Sequence, residues 1–303
     1  MSKFKVIFFA ILIAFTLSES ASAVVKINPK SPDFSLTLGG NIGDQVTSGL
    51  LFENSLILAA TIDNPTTNSA SAYVYSYLLD GTKQWELQIP NESVSGPLTK
   101  DSAGNIYILG ATSTQQQIVN TTNPDPTVLN PDNIQTEPTF TPVNSLSNLT
   151  IWKISISGQL LQSFTLPVNE VVRPQSIAAT ASGFNIGAST STKYFQVSMS
   201  LEGSFGAIRY VKAPASPISI QEFKSGTNKI RFYIATKPIP GISTWRPKKP
   251  TPVLVQYSRL GQIKAANYFS GKVLFVLFQS NSGIFVVSET NSGFGVSIVK
   301  PLK

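Results

Sequence analysis

Four carboxylates stand at comparable places along this chain: Asp44 in Gly-Asp-Gln-Val, Glu92 in Asn-Glu-Ser-Val, Glu170 in Asn-Glu-Val-Val and Glu222 in Gln-Glu-Phe-Lys. Each comes just before or within a stretch that reads as a strand. Carboxyl pairs held roughly 5–10 Å apart across a pocket are what glycoside hydrolysis needs, one acting as acid and the other as base or nucleophile. The flanking residues differ and carry no glycosidase signature, so the plainer expectation is four solvated turn carboxylates. The sequence has no His and no Cys. That removes the commonest general base, thiolate nucleophiles, disulfides and thiolate metal sites together. Asp125 and Asp132 lack the dense alternating spacing of a calcium loop. No phosphate loop, nucleophile elbow or dinucleotide fingerprint occurs. No cofactor and no metal are expected, and binding is a better expectation than catalysis.

The residues best suited to binding lie in Lys237–Pro250, where Trp245, Arg246, Lys248 and Lys249 sit among Pro238, Pro240 and Pro247. An aromatic beside three cations, stiffened by prolines, is able to stack on a sugar ring or grip a phosphate or carboxylate. The competing expectation is that Trp245 packs back on the fold and the cations solvate the loop.

These residues must be positioned by a repeated unit. Asp101-Ser-Ala-Gly-Asn-Ile-Tyr-Ile-Leu-Gly-Ala-Thr112 reads as a polar turn followed by a short strand ending on small residues. Echoes run through Glu53–Thr61, Ala181–Ser189, Gly226–Thr236 and Asn281–Ser288. A hairpin recurs as well, at Tyr77–Gly81, Ile154–Gly158, Ser198–Gly203 and Tyr257–Gly261, each ending on a glycine suited to positive φ. A strand-only repeat of about 40–50 residues predicts propeller blades. The expected fold is an all-β propeller of four-stranded antiparallel blades, with five blades at 44–90, 92–167, 171–212, 217–269, and 270–303 completed by 34–40. The N-terminal strand would thereby close the ring and cover an open sheet edge; the alternative is six or seven blades.

Asp101, Gly104, Asn105, Tyr107, Gly110 and Thr112 give this chain a pattern that resembles the repeat of the bacterial β-propeller repeat proteins. The Asp80-Gly81 hairpin with Trp85 more loosely resembles the repeats of quinoprotein-type and outer-membrane assembly propellers. The resemblance implies the fold and no particular activity, since these families are functionally mixed.

Lys3 and Lys5, the apolar run Val6–Leu17 and Ala21-Ser-Ala23 read as a secretory signal over residues 1–23, cleaved near Ala23. The remainder, 24–303, is expected to be one propeller domain exported to the cell surface, the periplasm or the medium, with no membrane span after cleavage. Net charge is +7, falling to about +6 without Lys3, Lys5 and Glu19, which favours anionic surfaces and not, for an exported chain, nucleic acid. Loop inserts at 113–148 and 237–250 fall between the second and third strands of their blades. The expected function is binding of an envelope protein or surface polysaccharide through the face that carries these loops. The alternative is an envelope-active glycan hydrolase using Asp44, Glu92, Glu170 and Glu222.

Overall fold

The computed structural model describes residues 25–38, 44–64, 69–89, 92–113, 146–213, 220–242, 245–279, 282–290 and 293–302. Among them every regular element is a strand. In chain order the strands begin β1 (Ile27–Lys30), β2 (Phe34–Leu36), β3 (Gln45–Phe52), β4 (Ser55–Asn64), β5 (Ser69–Leu78), β6 (Lys83–Gln88) and β7 (Ser93–Lys100). There follow β8 (Ile106–Thr112), β9 (Asn148–Ile154), β10 (Leu160–Pro167), β11 (Arg173–Thr180), β12 (Gly183–Ser189), β13 (Tyr194–Ser200) and β14 (Arg209–Val211). The last are β15 (Ile220–Ser225), β16 (Asn228–Ala235), β17 (Thr251–Tyr257), β18 (Ile263–Phe269), β19 (Val273–Gln279), β20 (Gly283–Thr290) and β21 (Gly293–Val299).

These strands form sheets in sequential order. The first sheet is β3-β4-β5-β6, the second β7-β8-β9-β10 and the third β11-β12-β13-β14. The fourth is β15-β16-β17-β18 with β1 added at its outer edge, and the fifth is β19-β20-β21-β2. The fifth sheet thus takes its last strand from the N-terminal segment: the Asp33 N–H donates to the Val296 carbonyl at 2.8 Å, and the Ile298 N–H donates to Asp33 Oδ2 at 2.6 Å. The strand β1 departs from the all-antiparallel expectation, because Ile27–Lys30 pairs parallel with Ala266–Phe269. Its physical reason is the free edge of β18, with Ile27 joining the apolar cluster beneath; Pro29 is tolerated because an edge strand has a side that needs no N–H donor.

Described residues divide into two compact units, one within 34–216 and 290–295, the other within 1–33, 217–289 and 296–303. Two apolar clusters can be described in the first unit. One joins Tyr107, Leu109 and Ile151 to Phe184, Phe195 and Met199, and the other joins Ile57 and Val74 to Ile106 and Trp152. Sheets are locked by a repeated contact. The hairpin glycines Gly81, Gly158 and Gly203, at φ of 93°, 85° and 91°, lie directly beneath the rings of Phe34, Trp85 and Phe164. A Cβ at Gly158 would stand 2.6 Å from Trp85, whose Nε1–H donates to the Ile156 carbonyl at 3.0 Å. Gly261 repeats the hairpin, its N–H donating to the Ser258 carbonyl at 2.9 Å, but no described residue comes within 4 Å of where its Cβ would stand. In the second unit the core gathers Ile230, Phe232, Leu254, Val276, Ile284 and Val286 in one cluster and Ala235, Val253 and Val255 in another.

The first strands of four of the five sheets share a further feature. Register slips between Val46 and Ser48 in β3, Ser95 and Leu98 in β7, Pro174 and Ser176 in β11, and Val273 and Phe275 in β19. Strand β15, the first strand of the fourth sheet, keeps an unbroken register with β16; a bulge bends the strand that carries it and re-aims the next side chain.

Candidate functional site

The conspicuous motif of the second sheet is structural. Asp101 Oδ1 accepts the Asn105 backbone N–H at 2.8 Å, while Oδ2 accepts Asn105 Nδ2 at 2.9 Å and the Tyr107 hydroxyl at 3.2 Å. Burial opposes the Asp101 charge, but these donors outweigh it and hold the carboxyl below its ordinary value. Burial, helped by the Asp101 charge, pushes the Tyr107 phenol up to about 12. The motif pins its turn and leaves no group to meet a ligand.

Several hydroxyls in the first two sheets are likewise occupied. Thr47 Oγ1 and Ser95 Oγ lie 2.8 Å apart, Thr61 Oγ1 and Ser95 Oγ 3.2 Å apart, and Ser48 Oγ donates to the Gly96 carbonyl at 2.8 Å. Strands β4 and β8 are correspondingly apolar on both faces, with Leu56–Ala60 and Ile106–Leu109 buried.

The third sheet differs. In β12 and β13 the side chains alternate strictly: Phe184, Ile186, Ala188, Phe195, Val197 and Met199 enter the core, while Asn185, Gln196 and Ser198 are exposed. Such alternation is the mark of a sheet with one packed face and one wet face. Pairing arranges the polar face in two rows across the strands. Ser176 lies opposite Gly187, Gly187 opposite Gln196, and Gln196 opposite Arg209. Ala178 lies opposite Asn185, and Asn185 opposite Ser198. Together these residues line a groove of about 380 Å³, within the range of about 300–1,000 Å³ found for small-molecule sites. Gly187 contributes to its floor by having no side chain, since a Cβ there would stand 2.1 Å from the Tyr194 hydroxyl and 2.5 Å from Ser176 Oγ.

Two properties give the groove chemical meaning. The side chains of Ser176, Asn185, Gln196, Ser198 and Arg209 make no hydrogen bond or ion pair with another described residue. Arg209 carries the sole charge among the lining residues. The site therefore offers neutral amides and hydroxyls, each able to donate and accept, beside a single guanidinium fork.

The residues expected from sequence lie elsewhere. Asp44 precedes β3, and its Oδ1 accepts the Asp63 N–H at 3.0 Å. Glu92 precedes β7, where its backbone carbonyl accepts the Ser113 N–H at 3.4 Å. Glu170 is exposed in the turn ahead of β11, beside Asn169 at φ 61°. Glu222 lies in β15 opposite Arg231, whose Nε is 2.6 Å from Glu222 Oε1, an ion pair between half-exposed side chains. Among the described residues no group of three or more acidic side chains is placed to hold a metal ion. Trp245 is half-buried, its ring 6.0 Å from that of Tyr268 and packed on the cluster of Ala235, Ile239 and Val253. Arg246, Lys248 and Lys249 are exposed. The prolines and acidic residues of 114–145, Asp125 and Asp132 among them, lie outside the described residues.

No family model and no curated protein matches this chain. Several solved structures are similar in outline, β-propeller domains among them. The catalytic domain of an α-L-arabinofuranosidase from Coprinopsis cinerea aligns over 89% of this chain and 96% of its own, with 8% identity and a TM-score of 0.41. A Bacteroides caccae protein of unknown function aligns over 83% of this chain and 73% of its own, with 11% identity and a TM-score of 0.37. The β-propeller domain of the trilobed protease from Pyrococcus furiosus aligns over 87% and 81%, with 8% identity and a TM-score of 0.35. These likenesses are remote, and the groove has to be read from its own residues.

Proposed function

We propose that this chain is an exported glycan-binding protein and that its ligand lies in the groove of the third sheet. The observation that carries the reading is the set of unengaged side chains: Ser176, Asn185, Gln196 and Ser198 have no protein partner among the described residues, whereas the comparable hydroxyls of Thr47, Ser48 and Ser95 are all bonded. Side-chain amides and hydroxyls set in rows match the mixed donors and acceptors of a sugar. Its polar floor, with exposed Asn185, Gln196 and Ser198, differs from the apolar centre usual in stable protein interfaces. In the same proposal the sheets are the blades of a five-bladed β-propeller, closed by the N-terminal strand β2. The recurring inner-strand bulges and the rings of Phe34, Trp85 and Phe164 on the hairpin glycines support that arrangement.

The test is a glycan array followed by calorimetry. An oligosaccharide that binds the native chain should bind Asn185→Ala and Gln196→Ala at least about 5-fold more weakly, the loss of roughly one hydrogen bond each. Unchanged affinity in both variants, with binding retained, would place the ligand elsewhere.

A second reading, glycan hydrolysis, rests on one placement. Asp44, Glu92 and Glu170 stand shortly before the inner strands β3, β7 and β11 of the same compact unit. Release of reducing ends from an array-positive glycan, abolished by Glu92→Gln or Glu170→Gln, would favour it.

A further inference from the structure

We infer that the groove selects an acidic saccharide, recognising a sugar carboxylate through Arg209; this rests on the glycan-binding reading and names its ligand class. Three observations lead there. First, Arg209 is exposed at the outer end of the row Ser176–Gly187–Gln196–Arg209, and no described residue pairs with it. The neighbouring cation is differently placed: Lys193 Nζ sits 4.9 Å from the centroid of Tyr210, whose ring in turn meets Phe195 edge-on at 6.3 Å. Arg209 is thus the cation left to a ligand in the groove. Second, the lining residues include no Asp or Glu, so nothing there repels an anion. Third, one guanidinium matches one carboxylate through two parallel N–H···O bonds, with Gln196 directly opposite to bind a neighbouring hydroxyl.

Span fits the same ligand. Four strands set about 4.8 Å apart give the row from Ser176 to Arg209 a length of about 14 Å. The amides and hydroxyls then hold neutral ring substituents while the guanidinium fixes which end of the ligand carries the acid.

Titration calorimetry on the full exported chain tests this with three probes: a galacturonic acid trimer, the corresponding neutral galactose trimer and a sulfated galactose trimer. The uronate trimer is expected to bind about 10-fold or more tighter than the neutral one, with the gap closing in Arg209→Gln and partly restored in Arg209→Lys, which keeps the charge without the fork. The preference should also shrink as salt is raised. Equal binding of uronate and neutral trimers, unaltered by Arg209→Gln but weakened by Asn185→Ala, would overturn the acid selectivity and leave the glycan-binding reading standing. Tighter binding of the sulfated trimer would overturn the assignment to a carboxylate. Loss of all three in Asn185→Ala and Gln196→Ala, with Arg209→Gln affecting only the uronate, would support both. Binding of all three probes unaffected by any groove variant would overturn both.

Discussion

At the scale of single residues, side chains of the same type do opposite work depending on whether a neighbour satisfies them. Ser95 is buried and bonded to Thr47 and Thr61, so its hydroxyl belongs to the architecture, while Ser176, beside the equivalent bulge one sheet further on, faces an open groove. Asp101 is architectural in the same sense. Replacing it with Ala should cost about 1–2 kcal/mol at neutral pH through its lost charge-assisted bonds. The sign of the pH effect follows from its lowered folded-state value: the stabilisation is complete above the ordinary carboxylate range and is lost as pH falls through the folded value. Thermal melts of Asp101→Ala and the native chain should therefore converge in acid, and a gap that stays constant down to pH 2 would contradict this. Trp245 belongs to the packing as well. Trp245→Ala should lower the melting temperature by removing the contacts with Tyr268 and Ile239, at a cost of about 1–3 kcal/mol for a half-buried ring, and an unshifted melt would show the ring to be dispensable.

At the scale of elements, repetition made the strands legible. The turn-and-strand echoes located β4, β8, β12, β16 and β20, and the glycine hairpins located the turns that join β5 to β6, β9 to β10 and β17 to β18, because a short hairpin needs positive φ at one fixed place. The strand β1 had no such signal: four residues containing a proline look like a linker, and only the edge of β18 makes them a strand. The wet face of the third sheet has a counterpart in the sequence. Phe184-Asn-Ile-Gly-Ala188 and Tyr194-Phe-Gln-Val-Ser-Met199 alternate strictly, whereas Leu56-Ile-Leu-Ala-Ala60 does not, and this difference between half-buried and fully buried strands was the available clue. The link between β2 and β21 yields an element-level prediction. Asp33→Ala removes the acceptor of the Ile298 N–H, so amides of β21 should exchange faster with solvent while those of β8 keep their protection. Equal protection of β21 in both proteins would mean that Asp33 does not hold it.

At the scale of the whole molecule, strands early in the chain complete sheets built at its end, with β1 on the fourth sheet and β2 on the fifth. Residues 25–38 consequently serve two sheets at once. If residues 1–23 are a signal removed after Ala23, N-terminal sequencing of the mature chain should begin at Val24, one residue before Val25 bridges Ile242; a start beyond Pro29 would delete β1 and contradict this expectation. The third sheet keeps a polar face, which we propose takes the ligand, while residues of β4, β8 and β20 are largely buried on both faces. Hydrogen–deuterium exchange of the full chain with and without a saturating array-positive oligosaccharide tests it most directly. Added protection should concentrate in 173–211, across β11 to β14. Protection confined to 245–250, or to the starts of β3 and β7, with 173–211 unchanged, would contradict it.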